Sequence, residues 1–112
     1  MAESTHHRWT EIEIRPYGMN PLVTQQNVVG THTVLTRLVL KKGAHFHGHY
    51  HDNEEISHVV EGSLQFLIEG KELLVGAGEI LCIPPRVIHE VVALEDSVAL
   101  EICNLTRQDW VD

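Results

Sequence analysis

The chain has 112 residues, 43% of them apolar, so it is the length of one globular domain and too short to close two hydrophobic cores. Sixteen Asp+Glu against eight Lys+Arg give a formal charge of −8, and Lys41-Lys42 is the only basic pair. Phosphate backbones and anionic lipid should repel such a surface, so neither nucleic acid nor a membrane is expected as a partner.

No apolar run nears the ~18–20 residues of a membrane span, and the opening Met1-Ala2-Glu3-Ser4-Thr5-His6-His7 lacks the charge and apolar pattern of a secretory signal. Cys82 and Cys103 have no CxxC spacing and read as free thiols of a reducing compartment, so a cytoplasmic location is expected. Residues 1–8 are expected to form a flexible N-terminus and residues 9–112 a single domain.

From there the pattern is β throughout. Short runs rich in Val, Ile, Leu and Thr alternate with Gly, Pro and Asn, without a sustained 3.6-residue period. In chain order the expected strands cover Trp9–Ile14, Leu22–Val29, His32–Leu40, Glu55–Val60, Leu64–Ile68, Lys71–Val75, Glu79–Ile83, His89–Ala93 and Val98–Asn104. Glu61-Gly62-Ser63, Glu69-Gly70-Lys71 and Gly76-Ala77-Gly78 read as hairpin connectors, because Gly accepts the positive φ such turns need. Many short strands without helices between them imply an all-β sandwich or small barrel. The first two strands are weak enough that pairing with a second subunit is an option.

Nine histidines is a high count, and four alternate in His45-Phe46-His47-Gly48-His49-Tyr50-His51. Imidazoles at this density point to metal binding or proton transfer. In an extended strand, residues i and i+2 share a face about 6.5–7 Å apart. His49 and His51 can therefore tilt onto one ion, with Glu55 reaching it from the next strand after the Asp52-Asn53-Glu54 turn. His89, opening a strand just after the rigid Pro84-Pro85, is the best fourth ligand. Three imidazoles and a carboxylate suit one divalent transition metal (Fe, Mn, Ni, Co or Zn) with open positions for water or substrate. A looser register, His47 and His49 with Glu54, is set aside. In a regular strand His45 and His47 would share the face of His49 and His51, and a bulge at Gly48 could bring His47 nearer the ion. Of these two, His47 is the candidate for moving protons or binding substrate at the barrel mouth.

This spacing resembles the cupin superfamily. Gly43-x5-His49-x-His51-x3-Glu55-x6-Gly62 matches its first motif without a gap, and Gly78-x5-Pro84-x-Arg86-x2-His89 resembles its second. The second motif usually has Gly where Arg86 stands and Asn where Ala93 stands. The resemblance implies a single-domain jelly-roll cupin β-barrel, and by family habit a homodimer acting on a small-molecule substrate. The ending Arg107-Gln108-Asp109-Trp110 looks like the tail of small cupins of the KdgF type, implicated in opening the ring of unsaturated uronic sugars. In that family an Asp, an aromatic residue and an Arg assist the metal. Here Glu101 would stand for the Asp, Cys103 for the aromatic and Arg107 for the Arg.

The expected activity is metal-dependent, redox-neutral chemistry (isomerisation, ring opening, cyclisation or lyase) on a small oxygenated substrate such as an acidic sugar or a keto/enol compound. Glu101, Arg107 and His47 are the candidate catalytic residues. The alternatives are an Fe(II)-dependent dioxygenase and, third, a non-enzymatic small-ligand module.

Overall fold

The computed structural model describes residues 3–49 and 52–104 of the chain. Its strands are β1 (Arg15–Tyr17), β2 (Asn20–Val29), β3 (Thr33–Leu40), β4 (His45–His49), β5 (Glu55–Glu61), β6 (Ser63–Ile68), β7 (Lys71–Gly76), β8 (Ile80–Ile83), β9 (His89–Ala93) and β10 (Ser97–Asn104). They form two antiparallel sheets, a six-stranded one in the order β1-β2-β3-β10-β5-β8 and a four-stranded one in the order β4-β9-β6-β7. After β3 the chain passes repeatedly from one sheet to the other, the path of a jelly roll. Among the described residues no helix is long and apolar enough to cross a membrane.

Period-2 alternation sorts each strand into an inner and an outer row. On β5 the buried residues are Glu55, Ser57 and Val59, and on β9 they are His89, Val91 and Ala93. Val23, Leu40, Val59, Leu64, Phe66 and Ile83 are the largest of the fully buried apolar side chains between the sheets. Each such side chain contributes about 1.5–3 kcal/mol of hydrophobic stabilisation. The inner rows change character along their length. Apolar residues fill one end, while Glu55, Ser57, Glu101, Cys103 and His89 occupy the other, where the start of β5 meets the end of β10.

Three expectations are corrected. Trp9–Ile14 is not a strand: Trp9–Glu11 is a 3-10 turn, because the Gln26 amide donates to the Trp9 and Ile12 carbonyls and takes them from any ladder. Arg37 in turn donates to Gln26 Oε1, fixing the segment against the outside of the larger sheet. The early strands β1 and β2 pair with each other, and β2 pairs with β3. Of the three glycine turns only Glu69-Gly70 closes a hairpin, joining β6 to β7 with φ of +50° and +80°. The turns at Gly62 and Gly78 instead carry the chain between sheets, since β5 pairs with β10 and β8 while β6 pairs with β7 and β9.

Candidate metal centre

The site starts from the edge strand β4, whose ladder with β9 is broken. His45 lies opposite Val92 and Phe46 opposite Val91, but His49 lies opposite His89. Three steps on β4 thus match two on β9, a bulge that inserts one residue at His47-Gly48. Phe46 packs into the core and meets Tyr17 edge-on, with ring centroids 5.2 Å apart. His45 and His47, one residue to either side, therefore look outward.

On the inner side, His89 is 2% exposed and Glu55 8%. His89 Nδ1 lies 2.9 Å from the Val87 carbonyl. A carbonyl can only accept, so Nδ1 carries the proton, and in a neutral ring Nε2 keeps its lone pair. That Nε2 lies 4.0 Å from Glu55 Oε2, while the Cys103 thiol lies 3.9 Å from Glu55 Oε1. A histidine oriented through its far nitrogen by a backbone carbonyl is the usual arrangement of a metal-ligating imidazole.

Glu101 is the direct cross-strand neighbour of Ser57, and Cys103 that of Glu55. Burial, the Glu55 charge and the hydrogen bond to Glu55 push the Glu101 carboxyl well above its ordinary range, with Ser57 acting the other way. A second carboxylate this close disfavours ionisation of the Glu101 carboxyl. The same register continues across the sheet as Asn27 beside Thr36 and Thr36 beside Glu101. A row of polar side chains thus crosses β2, β3, β10 and β5 at one level. Thr36 donates to Asn27 Oδ1 at 2.6 Å and Asn27 to Gln25 Oε1 at 3.2 Å. Tyr17 joins from β1: burial, then the charges of Glu101, Glu55 and Cys103, raise its hydroxyl to about 12.

Of the residues singled out from sequence, the structure brings Glu55, His89, Glu101 and Cys103 together. The backbone of His49 is level with His89. His51 and Arg107 lie outside the described residues. His47 is elsewhere: because β4 is bulged, it belongs to the outer face, beside His45 and Glu90. His45 Nε2 lies 2.8 Å from Glu90 Oε1, and the His45 and His47 rings are 4.5 Å apart. Together these three could hold a metal ion. Sequence reasoning missed Tyr17 and Glu90. The Pro16-Tyr17-Gly18 turn was a signal for the first, whereas the second depends on the bulge. A cavity of about 650 Å³ opens between the β1–β2 turn and β4, lined by Tyr17, Met19, Asn20, His45, Phe46 and His47 among others. It does not include Glu55, His89 or Glu101.

Residues 36–105, more than half of the chain, match the family described as "Cupin domain". The chain belongs to the cupin family. The sequence matches no curated protein. Among solved structures, this cupin is similar to an RmlC-like cupin from Shewanella frigidimarina, at 24% identity and a TM-score of 0.85, over 99% of this chain and 100% of the other. KdgF from Halomonas sp. shares 22% identity at a TM-score of 0.87, covering 97% and 100% of the two chains. The polyketide cyclase RemF from Streptomyces resistomycificus shares 22% at 0.76, covering 93% and 80%. Identities this low show the cupin fold alone.

The cupin motifs now have physical reasons. Gly43, Gly62 and Gly78 all have φ between +84° and +89°, the left-handed region that side chains resist. Arg86, where the second motif usually has Gly, keeps the left-handed turn at φ +61°. The turn before His89 thus retains a glycine-like conformation without the glycine.

Proposed function

We propose that this cupin is a metal-dependent enzyme of redox-neutral chemistry acting on a small oxygenated substrate, such as an acidic sugar or a keto/enol compound. The observation that carries the reading is the Glu101 carboxyl, set beside Ser57 in a row of polar side chains, where burial and the Glu55 charge push its pKa above the ordinary range. An acid tuned upward by burial and a like charge is what proton transfer near neutral pH requires. The names of the structural neighbours KdgF and RemF, the latter a polyketide cyclase, are in keeping with such chemistry.

His49, His51, Glu55 and His89 would hold one divalent transition ion; the neutral Nε2 of His89 and the Glu55 carboxylate fit such an ion in donor type and burial. When bound, it supplies Lewis-acid polarisation of a substrate carbonyl or enol oxygen. The chain's own residues do the rest. Glu101 gives a proton to the substrate and takes one back. The Tyr17 hydroxyl, un-ionised at neutral pH, offers a hydrogen bond into the same space. Asn27, Thr36 and Ser57 offer partners for substrate hydroxyls, while Arg107 is proposed as a clamp for a substrate carboxylate. A homodimeric assembly is part of the same reading.

The test is elemental analysis followed by an anaerobic screen of unsaturated uronic sugars and keto/enol compounds. Glu101→Gln should keep its metal equivalent and lose about 10²-fold or more in kcat, the scale of a general acid–base residue. Substrate-dependent oxygen uptake with iron alone would overturn the redox-neutral reading in favour of a dioxygenase. Full activity in Glu101→Gln would remove Glu101 from the mechanism.

A further inference from the structure

The outer face of the smaller sheet carries a group that the inner site does not use. His45 and His47 are i, i+2 neighbours on β4, and Glu90 is on β9, one residue after His89. Up to Phe46 the ladder runs regularly, so counting on from Phe46 opposite Val91 brings Glu90 beside His47 and diagonal to His45. Glu90 already meets His45 at 2.8 Å, and one donor atom from each of the three residues lies within 4.8 Å of the others. Phe46, between the two histidines, is turned into the core. The backbone of the sheet therefore separates this group from Glu55 and His89.

We infer that His45, His47 and Glu90 form a second divalent-cation site, for an ion of the zinc, nickel or cobalt type, on the outside of the barrel. Two imidazoles and one carboxylate are a sufficient donor set for such ions, with remaining positions for water. Metal–donor distances of about 2.0–2.2 Å require donors about 3–3.5 Å apart. The present spread closes to that by small side-chain rotations, which partly exposed groups make at little cost: the side chains of His45 and Glu90 are 39% and 31% exposed. The site is also reachable, because His45 and His47 line the cavity beside β4.

An ion held there would do something specific for the fold. Strand β4 is an edge strand that, among the described residues, pairs with β9 and no other strand, and its bulge lies directly before His49. Cross-linking β4 to β9 at the bulge would hold in register the segment that brings the His49 backbone level with His89. The outer site is thus placed to order the inner one without sharing a ligand with it.

The test is calorimetric titration of the metal-stripped full chain with Zn²⁺, in a His6→Ala/His7→Ala background that removes the N-terminal histidine pair. Two equivalents are expected. His45→Ala/His47→Ala should lose one of them and keep the other, while His89→Gln should lose the complementary one. Glu90→Gln, a milder change, should weaken only the outer equivalent and serves if the double variant does not fold. Imidazole NMR signals of His45 and His47 should shift with the outer equivalent in the His89→Gln protein. A single equivalent abolished by His89→Gln overturns the proposal, as does a second equivalent that survives both outer-site variants.

Discussion

Gly62 ends the first cupin motif, and the structure says what a methyl group would cost there. Its φ is +84°, and a Cβ would run into Ser97 Oγ, into the Asp96 carbonyl at 2.5 Å and into Ser97 Cα at 2.8 Å. Two of these are backbone atoms, one in the turn before β10 and one at its first residue, which cannot swing aside. The third is a hydroxyl that accepts from Ser63 N at 3.1 Å and donates to the Glu95 carbonyl at 2.8 Å. For Gly62→Ala the left-handed backbone costs about 1–2 kcal/mol, and overpacking adds about 1–3 kcal/mol. A total near ~3–4 kcal/mol corresponds to a Tm lowered by roughly 12–16 °C at this chain length. Gly43 is the control: φ is +89°, yet nothing lies within 4 Å of its Cβ position. Gly43→Ala should carry the backbone cost alone, about 1 kcal/mol and roughly 4 °C. Thermal unfolding followed by circular dichroism, with both variants scanned together, reads the difference. Equal shifts in the two variants would refute the reasoning, because the clash would then contribute nothing.

Arg86→Gly removes a left-handed side chain that is exposed; relief of about 1–2 kcal/mol against a glycine entropy cost of about 0.5–1 kcal/mol should raise Tm by a few degrees, and a lowered Tm would assign Arg86 a contact beyond its turn. In the metal-stripped protein, Glu101→Gln should become progressively more stabilising as pH rises. The raised folded pKa of Glu101 makes its protonated form the compatible one, so its contribution is complete below the ordinary value of 4.5 and is lost as pH rises through the raised one. Urea unfolding of both proteins at a series of pH values checks this, and a pH-independent difference would contradict it. Tyr17, one of two tyrosines, should ionise near pH 12 and leave stability falling between pH 10 and 12. Absorbance at alkaline pH should lose that late step in Tyr17→Phe, and a single titration near 10 in the wild type would count against the buried hydroxyl.

Much of the fold was legible because most of its strands keep period 2 along the rows that face the core. His89–Ala93 was read with its observed ends, and Glu55, Ser57 and Val59 alternate inward as the pattern of residues says. The partnership of Glu55 with His89 was legible as well, through spacing and the Pro84-Pro85 segment. What escaped depends on partners distant in sequence. Gln26 captures carbonyls 14 and 17 residues before it, which undoes the expected first strand. The Gly62 and Gly78 turns look locally like hairpins, and only the ladders of β5 and β6 show that the chain has changed sheets. The outward placement of His47 follows from one inserted residue, for which Gly48 is the sole local trace.

That inserted residue also settles how the histidine run is parsed. In an unbroken strand, His45, His47 and His49 would form one row, and any adjacent pair could open a ligand set, so an ion could be captured one frame out of step. The bulge changes parity between His47 and His49. The backbone positions of His47 and His49 then fall on different rows of the ladder, and the run reads as two separate words instead of one ambiguous string. An insertion of this kind is a frame marker, written in the backbone, that divides the histidine run.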